Sequence, residues 1–489
     1  MYTTKSRFKS CNYDVNQTIS WNMLSHCQSE EILMTALELL ERSGAEVASK
    51  KARDVFAKNG CWVDGEMVRF PSAKIEWALR ASPSRLTVCG QNGARAMLLE
   101  TENVHFGLGG GAEYVVDRAS GEPRHIVLQD VADAARLADR LGNVEFVTFP
   151  GLPSDKPEKT AALHALGTVL KYTAKPVVMP VCCAKMAEAA VAMAALAAGG
   201  IEKLQQNPRI ILRVECAEPR LHSENALEAV IYAAENRIPF IYDNELAAGY
   251  TAPASTAGTL VLALANTLVA VLLAQLVSEG TPVIAGGRLT VADEKNCMLP
   301  YGAPEAGLLS AGFANLMRYL RVPSMCVGGI TDAAASDSQA GVELAIGLLS
   351  ASLAGANMIV GGGMLESGKQ YSHATLAMSD ESMSLMYRIM RSFEVDEDRL
   401  ACGVYDTVEP GGSYLGEEHT GLFFKSEQFW PSLFTRKRIS DWMADGGKSL
   451  GQRAAEYAES VLTQPEAFTV DESIAAAIAD VAAKADKAF

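Results

Sequence analysis

The stretch 323–341, PSMCVGGITDAAASDSQAG, decides the fold. An apolar run at 325–327 stops at Gly328-Gly329. Thr331-Asp332 and a small-residue loop follow, and then the helix-like VELAIGLLSASLAG begins. A run this short between turn signals reads as a strand buried on both faces, with a carboxylate on the loop behind it and a crossover helix beyond.

The same unit recurs on both sides of this stretch. Strands are predicted at 104–107, 144–149, 176–181, 210–214, 239–242, 282–285, 324–327 and 357–360. Helices are predicted at 128–141, 156–172, 184–198, 223–236, 253–279, 304–320, 337–354 and 380–393. Eight apolar strands alternating with eight helices suit a closed (β/α)8 TIM barrel, because right-handed crossovers bury both faces of a parallel sheet. An open doubly wound sheet fits the spacing too, but it would leave strongly apolar strands at its edges, so the α/β barrel is the reading adopted.

The flanks differ from this pattern. Residues 1–100 read as an N-terminal α+β cap, with helices at 30–46 and 47–59 and a strand pair at 61–70 that turns at Asp64-Gly65. A helix starting at Pro71-Ser72 and a strand at 86–89 complete it. The barrel is assigned to 101–395. Residues 396–489 form a C-terminal extension, with a Gly-rich loop at 409–424 and an Ala/Glu-rich tail from 452 that is helical and packs outside.

Composition narrows the partners. Of 489 residues, 43 are basic and 58 acidic, a net charge of -15 without a Lys/Arg cluster, which argues against nucleic acid or an anionic membrane. Ten scattered cysteines and a start without an apolar signal core point to a reduced, cytoplasmic protein. The apolar stretch 255–277 is long enough to span a bilayer. It lies between two predicted strands and carries Asn266 and Gln275, so it is read as a buried crossover helix.

In such a barrel, chemistry belongs on the loops after the strands. The first, GLGGGAEY at 107–114, lacks a Walker lysine; its glycines are expected to permit close approach of backbone or of a large partner, presenting Glu113 and Tyr114. The second carries Phe149 and Asp155. The fifth, YDNELAAGYTAP, groups Tyr242, Asp243 and Glu245 as an acidic, aromatic wall suited to a cation. The sixth places Arg288 at the mouth, with Tyr301 and Glu305 beyond. Arg288 either pairs with a substrate carboxylate or neutralises Glu245 or Glu305. The seventh holds Asp332, and the eighth Glu366, Lys369, Tyr371 and His373. Cys182, Cys183 and Cys216 raise a second possibility, a zinc site that activates thiols for methylation, although no fourth ligand stands at metal spacing.

Several of these stretches, in order, resemble the trimethylamine methyltransferase family of corrinoid-dependent enzymes. They are GLGGGAEYVVDRASGEPR, YTAPASTAGTLVLALANTLVAVLLAQLVSEGTPVIAGG, YGAPEAGLLSA, GGITDAAASDSQAGVE and EPGGSYLGEEHT. The resemblance implies a TIM barrel that moves a methyl group to Co(I) of cobalamin carried by a separate corrinoid protein. Every position here is a standard residue, so the chain resembles the branch without pyrrolysine, whose substrates are quaternary amines; glycine betaine is the expected one. The resemblance also implies homo-oligomer formation. No DxHxxG pattern for corrinoid binding is present, so the cobalamin is expected to arrive on the partner, docking over the strand ends and against the 107–111 loop. The expected substrate contacts are Tyr114, Phe149, Tyr242, Glu245, Arg288, Tyr301, Glu305, Asp332, Glu366 and His373, with Asp332 the strongest by family match. No resident metal is expected. The alternatives are the zinc thiol methyltransferase and a non-catalytic betaine-binding barrel.

Overall fold

A computed structural model describes residues 20–489 apart from Ala217; the N-terminal start read above lies outside the described residues. Eight parallel strands form the barrel: β1 (His105–Leu108), β2 (Val144–Phe146), β3 (Val177–Pro180), β4 (Ile210–Cys216), β5 (Phe240–Ala248), β6 (Val283–Val291), β7 (Ser324–Val327) and β8 (Met358–Gly362). The ladder runs from β3 through β8 to β1 and β2. It closes where Val147 pairs with Val177: Val147 N donates to Pro176 O at 3.0 Å, and Val178 N to Val147 O at 2.8 Å.

The crossover helices are α1 (Leu128–Arg140), α2 (Ala161–Tyr172), α3 (Ala184–Ala198), α4 (Glu224–Glu235), α5 (Thr256–Val277), α6 (Pro304–Leu320), α7 (Ser338–Leu353) and α8 (His373–Met390). The apolar α5 is a crossover. Two of its polar side chains are bonded inside the fold: Thr267 Oγ1 accepts from Asn244 Nδ2 at 3.0 Å, and Gln275 Nε2 donates to Thr281 O at 2.9 Å. By length and composition it could cross a membrane, but most of it is buried here.

Three boundaries depart from expectation. β5 and β6 run on for nine residues in unbroken register, from Phe240 beside Val283 to Ala248 beside Val291, so Glu245 and Arg288 stand on a two-stranded ribbon and not on loops. α8 starts seven residues early, because Ser372 Oγ caps it by accepting from Thr375 N; His373 is therefore a helix residue. In the N-terminal part, Ala45–Val47 is a strand that pairs with Met67–Arg69 and, in parallel, with Leu221–His222 of the barrel. The next helix begins only at Lys50 behind its Ser49 cap.

The first of the terminal helices, His26–Arg42, and the last, Glu472–Ala488, contribute to the same hydrophobic core as the barrel. Leu450–Leu462 packs along α8. The segment expected as a Gly-rich loop contains a helix, Glu418–Glu427.

Candidate active site at the barrel mouth

Residues in a strand alternate between faces, and in a barrel one of those faces is the interior. Arg213 and Glu215 of β4, Asp243 and Glu245 of β5, and Arg288 of β6 share the inner face at its mouth end, joined by ion pairs. Arg288 is the hub. Its Nε donates to Asp243 Oδ2 at 2.7 Å, Nη2 to Glu215 Oε1 at 2.6 Å and to Glu245 Oε2 at 2.8 Å, and Nη1 to Glu245 Oε1 at 3.3 Å. Arg213 pairs with Glu215 and places its Nε 3.3 Å from Asp243 Oδ2. Gly286, the β6 residue beside Asp243, makes room: a Cβ there would lie 2.7 Å from Asp243 Oδ1.

Burial sets the electrostatics. Complete burial raises the Asp243 carboxyl above the usual carboxylate range, against the pull of Arg288 and Arg213. Burial acts on Glu215 in the same sense, but the two guanidiniums outweigh it and its carboxyl is lowered. Burial also disfavours the Arg288 charge, yet Asp243, Glu245 and Glu215 together hold its guanidinium protonated more firmly than in water.

The network continues along the rim. Tyr301 Oη donates to Glu245 Oε1 at 3.3 Å, and burial beside that carboxylate raises its phenol. The Tyr301 and Gly302 backbone N–H groups donate to the two oxygens of Asp332 at 2.9 and 3.0 Å, and Ser367 Oγ to Asp332 Oδ1 at 2.7 Å. Asp332 thus ties together the loops after β6, β7 and β8. Its own N–H and the Thr331 hydroxyl donate to Glu343 Oε2 of α7 at 2.8 and 2.5 Å. Glu366 and Ser367 hold positive φ of 49° and 53°, as do seven other non-glycine residues among those described. Tyr114 stacks on His125 with ring centroids 4.8 Å apart; its phenol is raised by a hydrogen bond with Glu113 and, more weakly, by Glu366. A small sheet of Tyr114–Val116, Pro123–His125, Gln370–Tyr371 and Met364–Leu365 joins the first and eighth loops.

Four expected contacts lie elsewhere. Tyr242 alternates with Asp243 and so faces outward, wholly buried, its hydroxyl 2.7 Å from His222 Nδ1. His373 sits in the first turn of α8, completely buried, with neither ring nitrogen bonded among the described residues. Glu305 is exposed in the first turn of α6. Phe149 is a core residue. Asp155 caps α1, accepting from Leu128 N at 2.9 Å. The glycines of the first loop are filled from within: a Cβ on Gly107 would strike the Phe146 ring, on Gly109 the Met364 side chain and on Gly110 the Phe149 carbonyl. They serve close packing at the strand end, and only Gly111 of that run is exposed.

The three-cysteine zinc site does not assemble. Cys216 is buried with its sulfur 4.0 Å from His222 Nδ1 on the outer face, whereas Cys182 is exposed beside Cys183, and no group of three potential metal ligands occurs among the described residues.

Sequence reasoning missed Arg213, Glu215, Ser367 and Glu343. The first two had a signal: R-x-E in β4 repeats the D-x-E spacing of β5, and charged residues two apart in a barrel strand share a face.

The chain matches the family model for trimethylamine methyltransferase (MTTB) over residues 3–489. It is 31% identical over 449 residues to trimethylamine methyltransferase MttB of Desulfitobacterium hafniense (strain DSM 10664 / DCB-2), covering 91% of this chain and 90% of that one. It is 30% identical over 424 residues to the glycine betaine methyltransferase of Desulfitobacterium hafniense (strain Y51), covering 86% and 88%. The crystal structure of the Methanosarcina barkeri monomethylamine methyltransferase superposes with a TM-score of 0.54 at 12% identity, over 94% of this chain and 92% of that chain, a likeness of fold.

Proposed function

The chain belongs to the trimethylamine methyltransferase family, and from that premise we propose that it moves a methyl group from a quaternary amine to Co(I) of a corrinoid carried by a separate protein. The observation that carries this reading is the rim network, in which Glu215, Asp243 and Glu245 surround two guanidiniums and adjoin Tyr301, leaving an excess of negative charge and an aromatic group where the strands end. Carboxylates and aromatic faces attract a permanent cation without needing a hydrogen bond from it.

The chemistry asks little more of the protein. A quaternary nitrogen has no lone pair to capture and needs no protonation to leave. Co(I) supplies the electron pair of the new cobalt–carbon bond. The carbon–nitrogen bond breaks with its own pair remaining on nitrogen, and a neutral tertiary amine departs. The enzyme's part is to hold the cation with one methyl pointing out of the barrel. Asp332, by fastening three loops to one another, is a positioning residue for that rim. The nine described cysteines are all free thiols, in keeping with a reducing cytoplasmic setting, and a homo-oligomer remains part of the proposal.

The test follows the visible spectrum of Co(I) cobalamin, or of a corrinoid protein carrying it, mixed with the enzyme and a panel of quaternary amines in which glycine betaine is the reference. Conversion to the methylcobalamin spectrum with at least one of them is expected. No spectral change with any of them, despite measurable binding, would leave a binding barrel and end the methyltransferase reading.

A further inference from the structure

From the charge arrangement of the rim we infer that the preferred quaternary ammonium has an uncharged, hydroxyl-bearing tail and not a carboxylate. The inference rests on the proposed amine site and narrows its substrate class. Glycine betaine is the substrate expected from the resemblance, with Arg288 either receiving its carboxylate or neutralising Glu245 or Glu305. In the structure Arg288 already donates to Asp243, Glu215 and Glu245, and Arg213 is held between Glu215 and Asp243. Three carboxylates against two guanidiniums leave the inner site negative before any ligand enters. A substrate carboxylate would have to displace one of them and then sit beside the other two.

What the site does offer a tail is acceptors. Glu215 is about half exposed at the mouth, with a side-chain exposure of 48%, and Glu245 is partly exposed at 32%. Asp243 lies beneath them with no exposed surface, its Oδ1 against Gly286 and without a hydrogen-bond partner among the described residues, so Glu215 and Glu245 are the acceptors a tail can reach. A hydroxyl donates to such oxygens; a carboxylate cannot. The opposing group is Lys369, in the loop after β8, whose ammonium lies 3.8 Å from the Met298 sulfur, outside the network.

Choline and glycine betaine decide the matter, because they share the trimethylammonium head and differ only in carrying a CH2OH or a carboxylate. Calorimetric titration of the full chain with each ligand, without corrinoid, is expected to give choline at least tenfold tighter binding. Glu245→Gln, which removes one rim charge, should bring the two affinities closer. Equal affinities, a preference for glycine betaine, or binding of neither ligand would overturn the inference. So would glycine betaine binding that is lost in Lys369→Ala, which would place the carboxylate at that ammonium. Because this readout is binding, a failed methyl transfer to Co(I) would refute the proposed reaction while leaving the ligand preference to be judged separately.

Discussion

Strands β4 and β5 carry polar side chains on both faces, and the two faces behave differently. Inside the barrel, Arg213, Glu215, Asp243 and Glu245 are ionic and meet Arg288 in a network open at the mouth. Outside it, Cys216, Tyr242 and Asn244 are neutral and sealed: Tyr242 bonds His222, and Asn244 bonds Thr267 of α5. His222 also belongs to the short strand that pairs with Ala45–Val47, so the outer cluster joins the N-terminal segment to the barrel. The inner charges, including the wholly buried Asp243, are paired with opposite charges in a network that reaches the mouth through Glu215 and Glu245, whereas the sealed outer face uses uncharged hydrogen bonds. The inner face carries the proposed binding site, and the outer face joins elements of the fold.

Substitutions should separate the two. Arg288→Ala leaves the wholly buried Asp243 with only Arg213 as counter-ion, so a loss of about 3–5 kcal/mol in stability is expected, measured by urea unfolding, with methyl transfer reduced at least about a hundredfold. Retained activity would mean that the inner network is scaffolding like the outer one.

Acid should strike the buried imidazoles first. Burial lowers His222 to about 4 from an ordinary 6.5, and His373 likewise to about 4, with Arg118 and Arg124 adding to the effect there. A depressed folded-state value means stability is full above 6.5 and is lost as pH falls towards 4, because the unfolded chain takes up the proton and the folded one does not. Each histidine contributes up to ~3 kcal/mol to that slope. Unfolding free energies measured from pH 7 to 4 should fall accordingly, and less steeply in His222→Gln. A slope identical in the variant would remove the outer cluster from the acid response.

Tyr242→Phe deletes the hydroxyl that meets His222 Nδ1, at an expected cost of about 1–3 kcal/mol. Its kcat/KM per folded molecule should match wild type, which is the opposite signature to Arg288→Ala. A specific loss of activity would return Tyr242 to the binding site. Asp332→Asn, the mildest change, sets an amide NH2 against a backbone N–H of Tyr301 or Gly302. About 1–2 kcal/mol of stability should be lost, and a raised KM with a smaller change in kcat would mark it as a positioning residue.

The contrast between the faces also explains what could be read in advance. The eight strands were legible because each is an apolar run between turn residues, and parallel strands buried on both faces need little else. Asp332 was legible as a carboxylate on the loop after β7, singled out by the family resemblance, although its bonds to two other loops were not. The ends of β5 and β6 were not, because DNELAA and GGRLTV look like loops until their cross-strand partners are known. Adjacent positions in a strand point oppositely, so Tyr242 and Asp243 could not both line one pocket; choosing between them needs the phase of the pleat. His373 was misplaced for a related reason: HATLAMS runs on from the eighth loop without a Gly or Pro to mark the boundary, and the Ser372 cap shows where the helix begins.

The overrun of β5 and β6 has a further consequence. Val291 lies four residues beyond Gly287, the last β6 position paired with β7, so this ribbon rises roughly 13 Å past the last β6–β7 pair at about 3.3 Å per residue. The barrel therefore has a parapet on one side. A corrinoid carrier of the kind proposed above, docking over the strand ends, would have to accommodate that step.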